Sequence, residues 1–286
     1  MDLDSLKIRQ LTRDELDIAV EWAAAEGWNP GHHDADVFWE TDPVGFVGIE
    51  KDGELIASGS IVSYGGQYGF MGFFIVKPEL RGQGIGTKLW FHRRDLLSSR
   101  LQPGASIGMD GVFDMQAWYA KGGFQFTHRN LRMQGIAKPG LMADQVVHFS
   151  EIPFDHLNEY DSKRFGIDRE KFTRAWLNIP DSTAFAYVEE DHVQGYGVIR
   201  RCRKGYKIGP LFADHAEAAE ALFQALCSQA VGMQINLDVP EINTSAMGLA
   251  KRHGLTEVFG CARMYYGDVP NIDWNKIFGI TTFELG

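Results

Sequence analysis

The 286-residue sequence predicts an α+β chain in three layers, built as two successive units of one plan. Three observations carry this. Between residues 7 and 133, segments of period 2 and period 3.6 follow one another in the order β-α-β-β-β-α-β-α-β. From residue 145 onward the same order starts again, as in an internal duplication. And in the first unit a buried-strand pattern runs directly into a glycine-rich turn and an amphipathic helix.

The elements follow in order. Residues 7–11 read as a strand. Thr12 with Glu15 three residues on is a capping box. The helix behind it turns Leu16, Ile18, Ala19, Trp22 and Ala23 inward and stops at Gly27. Pro30 and Gly31 make a loop, and a short helix starts near Asp34. The adjacent His32 and His33 read as solvent-facing rather than as metal ligands. Strands at 46–50 and 54–64 are joined by Lys51-Asp52-Gly53, a hairpin signal. Gly65-Gly66 then turns the chain into a buried strand at 70–76. Pro78, Gly82, Gly84 and Gly86 break that strand. A helix follows with Ile85, Leu89, Leu96 and Leu97 inward and Lys88, Arg93 and Arg94 toward water. A strand at 106–112, a short helix at 115–121 and a hairpin from Phe124 through 128–133 complete the unit.

Lys138-Pro139-Gly140 interrupts the pattern and sets the boundary between units 1–137 and 138–286. The second unit reads as a strand at 145–149, helices at 154–165 and 168–177, and strands at 184–189, 195–201 and 207–212. A helix at 216–230, a strand at 233–239, a helix at 244–253 and a final hairpin of 255–259 with 263–266 follow. Residues 271–286 form a tail.

Composition narrows the function. A formal charge of −10 argues against nucleic acid or an anionic membrane as partner and is compatible with a cationic amine. The 44% apolar content suffices for sizeable cores. Cys202, Cys227 and Cys261 lie far apart with no zinc spacing and read as reduced thiols of a cytoplasmic protein. The N-terminus shows no basic-then-apolar leader, and no apolar run is long enough to span a bilayer.

The glycine turn has a chemical use. A helix start presents unpartnered N–H groups and the positive end of the helix dipole. Glycines let an anion approach the backbone, and Arg81 adds a fixed positive charge, so a diphosphate is the natural guest. Thr87 rules out the dinucleotide pattern Gly-x-Gly-x-x-Gly, and no Gly-Lys-[Ser/Thr] is placed for a Walker A loop. The spacing Arg81-x-x-Gly84-x-Gly86, after a strand and opening a helix, resembles the acyl-CoA pyrophosphate loop of the GNAT superfamily of N-acyltransferases.

That resemblance implies two tandem folds, each a mixed, mostly antiparallel sheet flanked by helices. It implies acetyl-CoA as acyl donor, no metal, and a small-molecule amine as acceptor. The coenzyme would lie on Phe74, Ile75, Val76, Arg81, Gly82, Gln83, Gly84, Ile85, Gly86 and Thr87. Tyr119, five residues before Phe124, would protonate the departing thiolate; a packed core aromatic is the plain alternative. Asp110 would take the amine's proton through water or bind an ammonium, with a turn role before Gly111 as the alternative, and Glu26 and Asp34 also stand on the acceptor side. Trp28, Asn29, Asp34 and Phe38 are acceptor-pocket candidates by position.

The second unit reads as degenerate. Aligned on the corresponding helix, Asp214 stands opposite Arg81, Glu217 opposite Gly84 and Glu220 opposite Thr87. Carboxylates at a helix start repel a diphosphate. No tyrosine matches Tyr119. The whole chain resembles bacterial tandem-GNAT proteins in its segments 26–31, 108–112 and 279–286. The first unit is therefore expected to be catalytic and the second a scaffold or specificity half. A coenzyme-sensing module without turnover and a protein N-acetyltransferase are the alternatives.

Overall fold

The computed structural model describes residue 3 and residues 5–286. The first half runs β1 (Lys7–Gln10), α1 (Arg13–Ala25), α2 (Asp34–Thr41), β2 (Phe46–Lys51), β3 (Glu54–Ser60), β4 (Val62–Tyr64), β5 (Tyr68–Phe70), β6 (Ile75–Val76), α3 (Ile85–Ser99), β7 (Ser106–Val112), α4 (Gln116–Lys121) and β8 (Gln125–Ile136). The second half runs β9 (Val146–His148), α5 (Phe154–Phe165), α6 (Glu170–Leu177), β10 (Ser182–Glu189), β11 (His192–Arg201), β12 (Tyr206–Ala213), α7 (Ala216–Cys227), β13 (Gln234–Pro240), α8 (Thr244–Arg252), β14 (Thr256–Tyr266) and β15 (Ile277–Gly279). The predicted capping box is present: Thr12 Oγ1 accepts from Glu15 N–H, and the Glu15 carboxylate accepts from Thr12 N–H.

Two of the expected strands are cut in the same place. The segment 54–64 divides into β3 and β4 at Ile61, and 68–76 divides into β5 and β6 across residues 71–74. β3 and β6 stay in a sheet of order β1-β2-β3-β6, while β4 and β5 join a second, larger sheet. The first half is thus split like an opening book, with Phe73 at the fold in a left-handed conformation, φ 48°. A bulky residue there is sterically costly and is held by its surroundings.

The larger sheet runs β4-β5-β7-β14-β8-β13-β12-β11-β10-β9 and passes through both halves. The two hairpins expected at the ends of the units do not form. Residues 125–136 and 256–266 are each one long strand, and the halves exchange them. β14 of the second half pairs with β7 of the first, and β8 of the first pairs with β13 of the second. Thr127-His128 carries no glycine, proline or Asx turn chemistry, and Gly260 in the second connection does not take a positive φ, so the chain runs straight through both.

Buried ion pairs stitch the exchange. Arg132 on β8 holds Asp238 on β13 with both oxygens, at 2.7 and 2.8 Å. Arg263 on β14 holds Asp110 on β7 at 2.9 and 2.6 Å. Arg200 on β11 reaches across to Asp34 on α2 at 2.8 and 3.1 Å. Bidentate geometry of this kind fixes register as well as energy. The tail after β15, residues 280–286, is buried against the first half, where Tyr64 donates to the Leu285 carbonyl at 2.8 Å.

Candidate active site

The site begins at the mouth of α3. Gly82 and Gly84 have φ of +76° and +86°, which only glycine adopts without strain. Gly84 is the N-cap and supplies no side-chain hydrogen bond to the helix. A Cβ on Gly86 would sit 3.4 and 3.6 Å from the Phe74 and Val76 side chains, so its absence keeps the channel between α3 and β6 clear. Arg81 stands at the rim, 46% exposed, donating to the Val76 carbonyl at 2.9 Å and to Glu26 at 2.5 Å. Together these line a groove of about 650 Å³ with Trp28, Ile75, Thr87, Val112, Met115, Trp118 and Tyr119. Its donors and charge suit a diphosphate.

A second, much smaller space of about 60 Å³ adjoins the groove, and the two share Trp28, Phe74, Val112 and Tyr119 in their walls. Tyr119 stacks on Trp90 with ring centroids 4.8 Å apart. Trp118 stacks on Phe74, 6.1 Å away and within 7° of parallel. Burial holds the Tyr119 phenol well above the usual tyrosine range, against the pull of the Arg93 guanidinium. It is an acid that keeps its proton at neutral pH.

Arg93 corrects the sequence reading. It does not face water but is fully buried, its Nη2 donating to the Ser60 and Gly72 carbonyls at 2.6 and 2.7 Å. Burial lowers its pKa to about 9, which leaves it charged near neutrality. Its guanidinium lies 5.2 Å from the Phe74 ring centre and lines the inner cavity. The signal was present: positions 85, 89, 93 and 97 form one i, i+4 stripe, and only the charge argued against reading Arg93 as part of it.

The expected site residues divide into two groups. Phe74, Ile75, Val76, Arg81, Gly82, Gly84, Gly86 and Thr87 line the groove. Gln83 instead points to the Glu79 carbonyl at 3.3 Å, and Ile85 is sealed in the core. Of the four acceptor-pocket candidates Trp28 alone lines the cavity. Asn29 pairs with the Lys204 backbone at 2.9 and 2.8 Å, Asp34 is sequestered by Arg200, and Phe38 packs on Phe73 and Trp176. These three are ties between the halves, a role no single unit could reveal. Asp110 does reach the cavity wall, but Arg263 takes both its oxygens and Asn130 donates to one at 2.8 Å. Three of the roughly four acceptor sites of this carboxylate are thereby taken.

The inner walls hold residues that sequence reasoning missed. Phe259 and Cys261 come from β14, and Phe283 and Glu284 from the tail. All four belong to the second half and arrive through the exchanged strand and the returning C-terminus. Burial pushes the Cys261 thiol up, so it is not a poised nucleophile.

The corresponding mouth in the second half is closed. His215 caps α7 with its own ring, accepting from Ala218 N–H at 3.2 Å. Glu217 sits on that ring at 3.1 Å, and Glu220 is held by Arg252 at 2.9 Å and by His253 at 2.5 Å. Among the described residues no helix is long and apolar enough to cross a membrane.

Comparison with known proteins bears on the family and the fold. Residues 8–124 match the acetyltransferase (GNAT) family, and residues 157–279 match an acetyltransferase (GNAT) domain. The sequence is 32% identical to holothin acyltransferase of a Pseudoalteromonas species (strain SANK 73390) over 99% of both chains. The crystal structure of a protein assigned as an acetyltransferase from Pyrococcus horikoshii superposes with a TM-score of 0.84 at 23% identity, covering 98% of this chain and 96% of that one. A tandem GNAT protein from the clavulanic acid biosynthesis pathway superposes at 0.62 with 14% identity, over 93% and 100% of the two chains. At such identities the solved structures speak for the fold alone, and the sequence matches speak for the family. This chain belongs to the GNAT acyltransferases and carries two of their domains in tandem.

Proposed function

We propose that the protein moves an acetyl group from acetyl-CoA to the amine of a small molecule. Residues 1–137 hold the coenzyme, and residues 138–286 close and shape the acceptor side. The observation that carries this reading is the junction at Tyr119, where an open groove over a glycine-lined helix mouth meets an inner cavity walled by the other half.

The chain's own groups supply the steps. The α3 mouth and Arg81 bind the diphosphate, in competition with Glu26 for the guanidinium. Residues 71–74 lie outside both strand ladders, so the sheet parts beside Phe74, where a thioester carbonyl could meet backbone N–H groups. Tyr119 donates its proton to the thiolate as it leaves. The cavity walls of Trp28, Phe259 and Phe283 exclude water and leave little room for a folded protein chain, which favours a small acceptor.

Thiol release from acetyl-CoA, followed across a panel of small amines and a set of peptides with free N-termini and lysines, tests this. Release with small amines is the expected result. Release with peptides alone would replace the acceptor class, and binding of acetyl-CoA with no release would make the protein a coenzyme sensor.

A further inference from the structure

We propose that Glu284, in the C-terminal tail of the second half, is the catalytic residue that receives the acceptor amine and takes its proton. This rests on the acetyl-transfer reading above and names the group that reading lacks.

Glu284 stands out by what it does not hold. Asp34, Asp42, Asp110, Asp161 and Asp238 are also buried carboxylates, and each is paired with an arginine. The Glu284 side chain is 3% exposed, and its Oε2 is buried with no hydrogen-bond partner among the described residues. A buried carboxylate left unpaired costs stability, so its retention calls for a use. Glu284 lines the same cavity as Tyr119 and Arg93.

Its backbone is held from both sides. β15 pairs with β12, and Ile280 N–H donates to the Asp238 carbonyl at 2.9 Å. The Thr282 hydroxyl then accepts from Glu284 N–H at 3.1 Å and from Leu285 N–H at 2.9 Å. On the first-half side Gly72, at the parting of the sheet, leaves room for the Glu284 carbonyl, with which any Cβ there would overlap. Glu284 thus stands on a turn held by hydrogen bonds on both sides.

The charged groups around it come from every neighbouring element. Lys207 of β12, Arg132 of β8 and Arg200 of β11 stabilise its anion, while burial and Asp34 of α2 oppose ionisation. Cys261 of β14 and Asp238 of β13 share the same field. Burial prevails and holds the Glu284 carboxyl above the usual range, toward the basicity a proton acceptor needs.

The step balances as follows. Glu284 takes one proton from the acceptor ammonium, and the freed amine nitrogen bonds to the thioester carbonyl carbon and gives a second proton to solvent as the amide forms. The C–S bond breaks, its electron pair goes to sulfur, and the thiolate takes the Tyr119 proton. Transfer of the Glu284 proton through solvent to the Tyr119 phenolate restores both groups. The net products are an amide and free thiol.

The test compares Glu284→Gln with the wild type, using acetyl-CoA and the best amine of the panel. We expect kcat/KM to fall about 10²–10⁴-fold at neutral pH, with acetyl-CoA affinity by calorimetry unchanged. The deficit should shrink as pH approaches the amine's own pKa near ~10, because solvent then supplies neutral amine. Glu284→Asp, which keeps the charge, should recover part of the rate with the wild-type pH dependence, and it serves as the comparison if the amide variant does not fold. Full activity in E284Q, or a deficit equal at every pH, would overturn the assignment. Failure of the wild type itself to release thiol would remove the acetyl-transfer reading and this role with it, whereas an active wild type with an equally active variant would remove only the role of Glu284.

Discussion

The mouths of α3 and α7 occupy matching places in two copies of one fold, yet they are built in opposite ways. At α3 glycine takes the cap position, no side chain satisfies the first turn, and Arg81 stands at the rim. At α7 a histidine ring caps the helix, and acids occupy the following turns. Both helices pack their apolar faces normally, so the fold does not depend on the difference. The second copy keeps its core, lacks the bare helix mouth, and lends a strand and a tail to the wall of the inner cavity.

The comparison can be broken most sharply at Tyr119, which the second half does not match. Tyr119→Phe should lower kcat by about 10²–10⁴-fold, with acetyl-CoA affinity by calorimetry unchanged. Because burial holds that phenol protonated well above its ordinary value of about 10, wild-type kcat should not fall near pH 10 through loss of this proton.

Next in size is the exchange that makes the halves one body. Asp238→Ala leaves Arg132 buried alone and should cost about 3–5 kcal/mol in thermal or denaturant unfolding. Despite burial, the Arg132 guanidinium holds the Asp238 carboxyl below the usual range, and Arg200 does the same for Asp34. The unfolded chain therefore takes up those protons first. This share of stability is present above about pH 4 and drains away as pH falls below it, which an acid-denaturation series would record.

Arg81→Glu comes third. It places a second carboxylate beside Glu26 at the anion's entrance and should weaken acetyl-CoA binding by roughly 10–100-fold, in keeping with a lost charge-assisted hydrogen bond. The smallest effect sharpens the comparison from the other side. Glu217→Gln with Glu220→Gln should leave acetyl-CoA stoichiometry at one per chain, since the His215 cap still closes α7. A second bound coenzyme would mean that the acids alone had closed that mouth.

Much of this was legible in the chain. The capping box at Thr12, the element order in both halves and the glycine mouth rest on spacings within a dozen residues, and local physics sets those. Where reading failed, the cause was contact at a distance. Asn29, Asp34 and Phe38 look like pocket residues in a single unit, yet Lys204, Arg200 and Trp176, over 130 positions away, claim them. Arg93 looked solvent-facing by charge, although its i, i+4 stripe already placed it inward. The expected hairpins failed because strand identity was clear while strand partners were not.

By itself the sequence determined which segments become helices and strands, and which of two helix mouths is bare of side chains. Those properties follow from periodicity, capping and glycine's freedom, all of them short-range. Only the tertiary structure decided which carboxylate is free. Asp110 and Glu284 are both acids near apolar neighbours in the chain, but Arg263 hydrogen-bonds one of them across an exchanged strand and nothing among the described residues hydrogen-bonds the buried Oε2 of the other. Whether a buried charge is paired depends on which distant group folds onto it, and the backbone, not the local sequence, settles that.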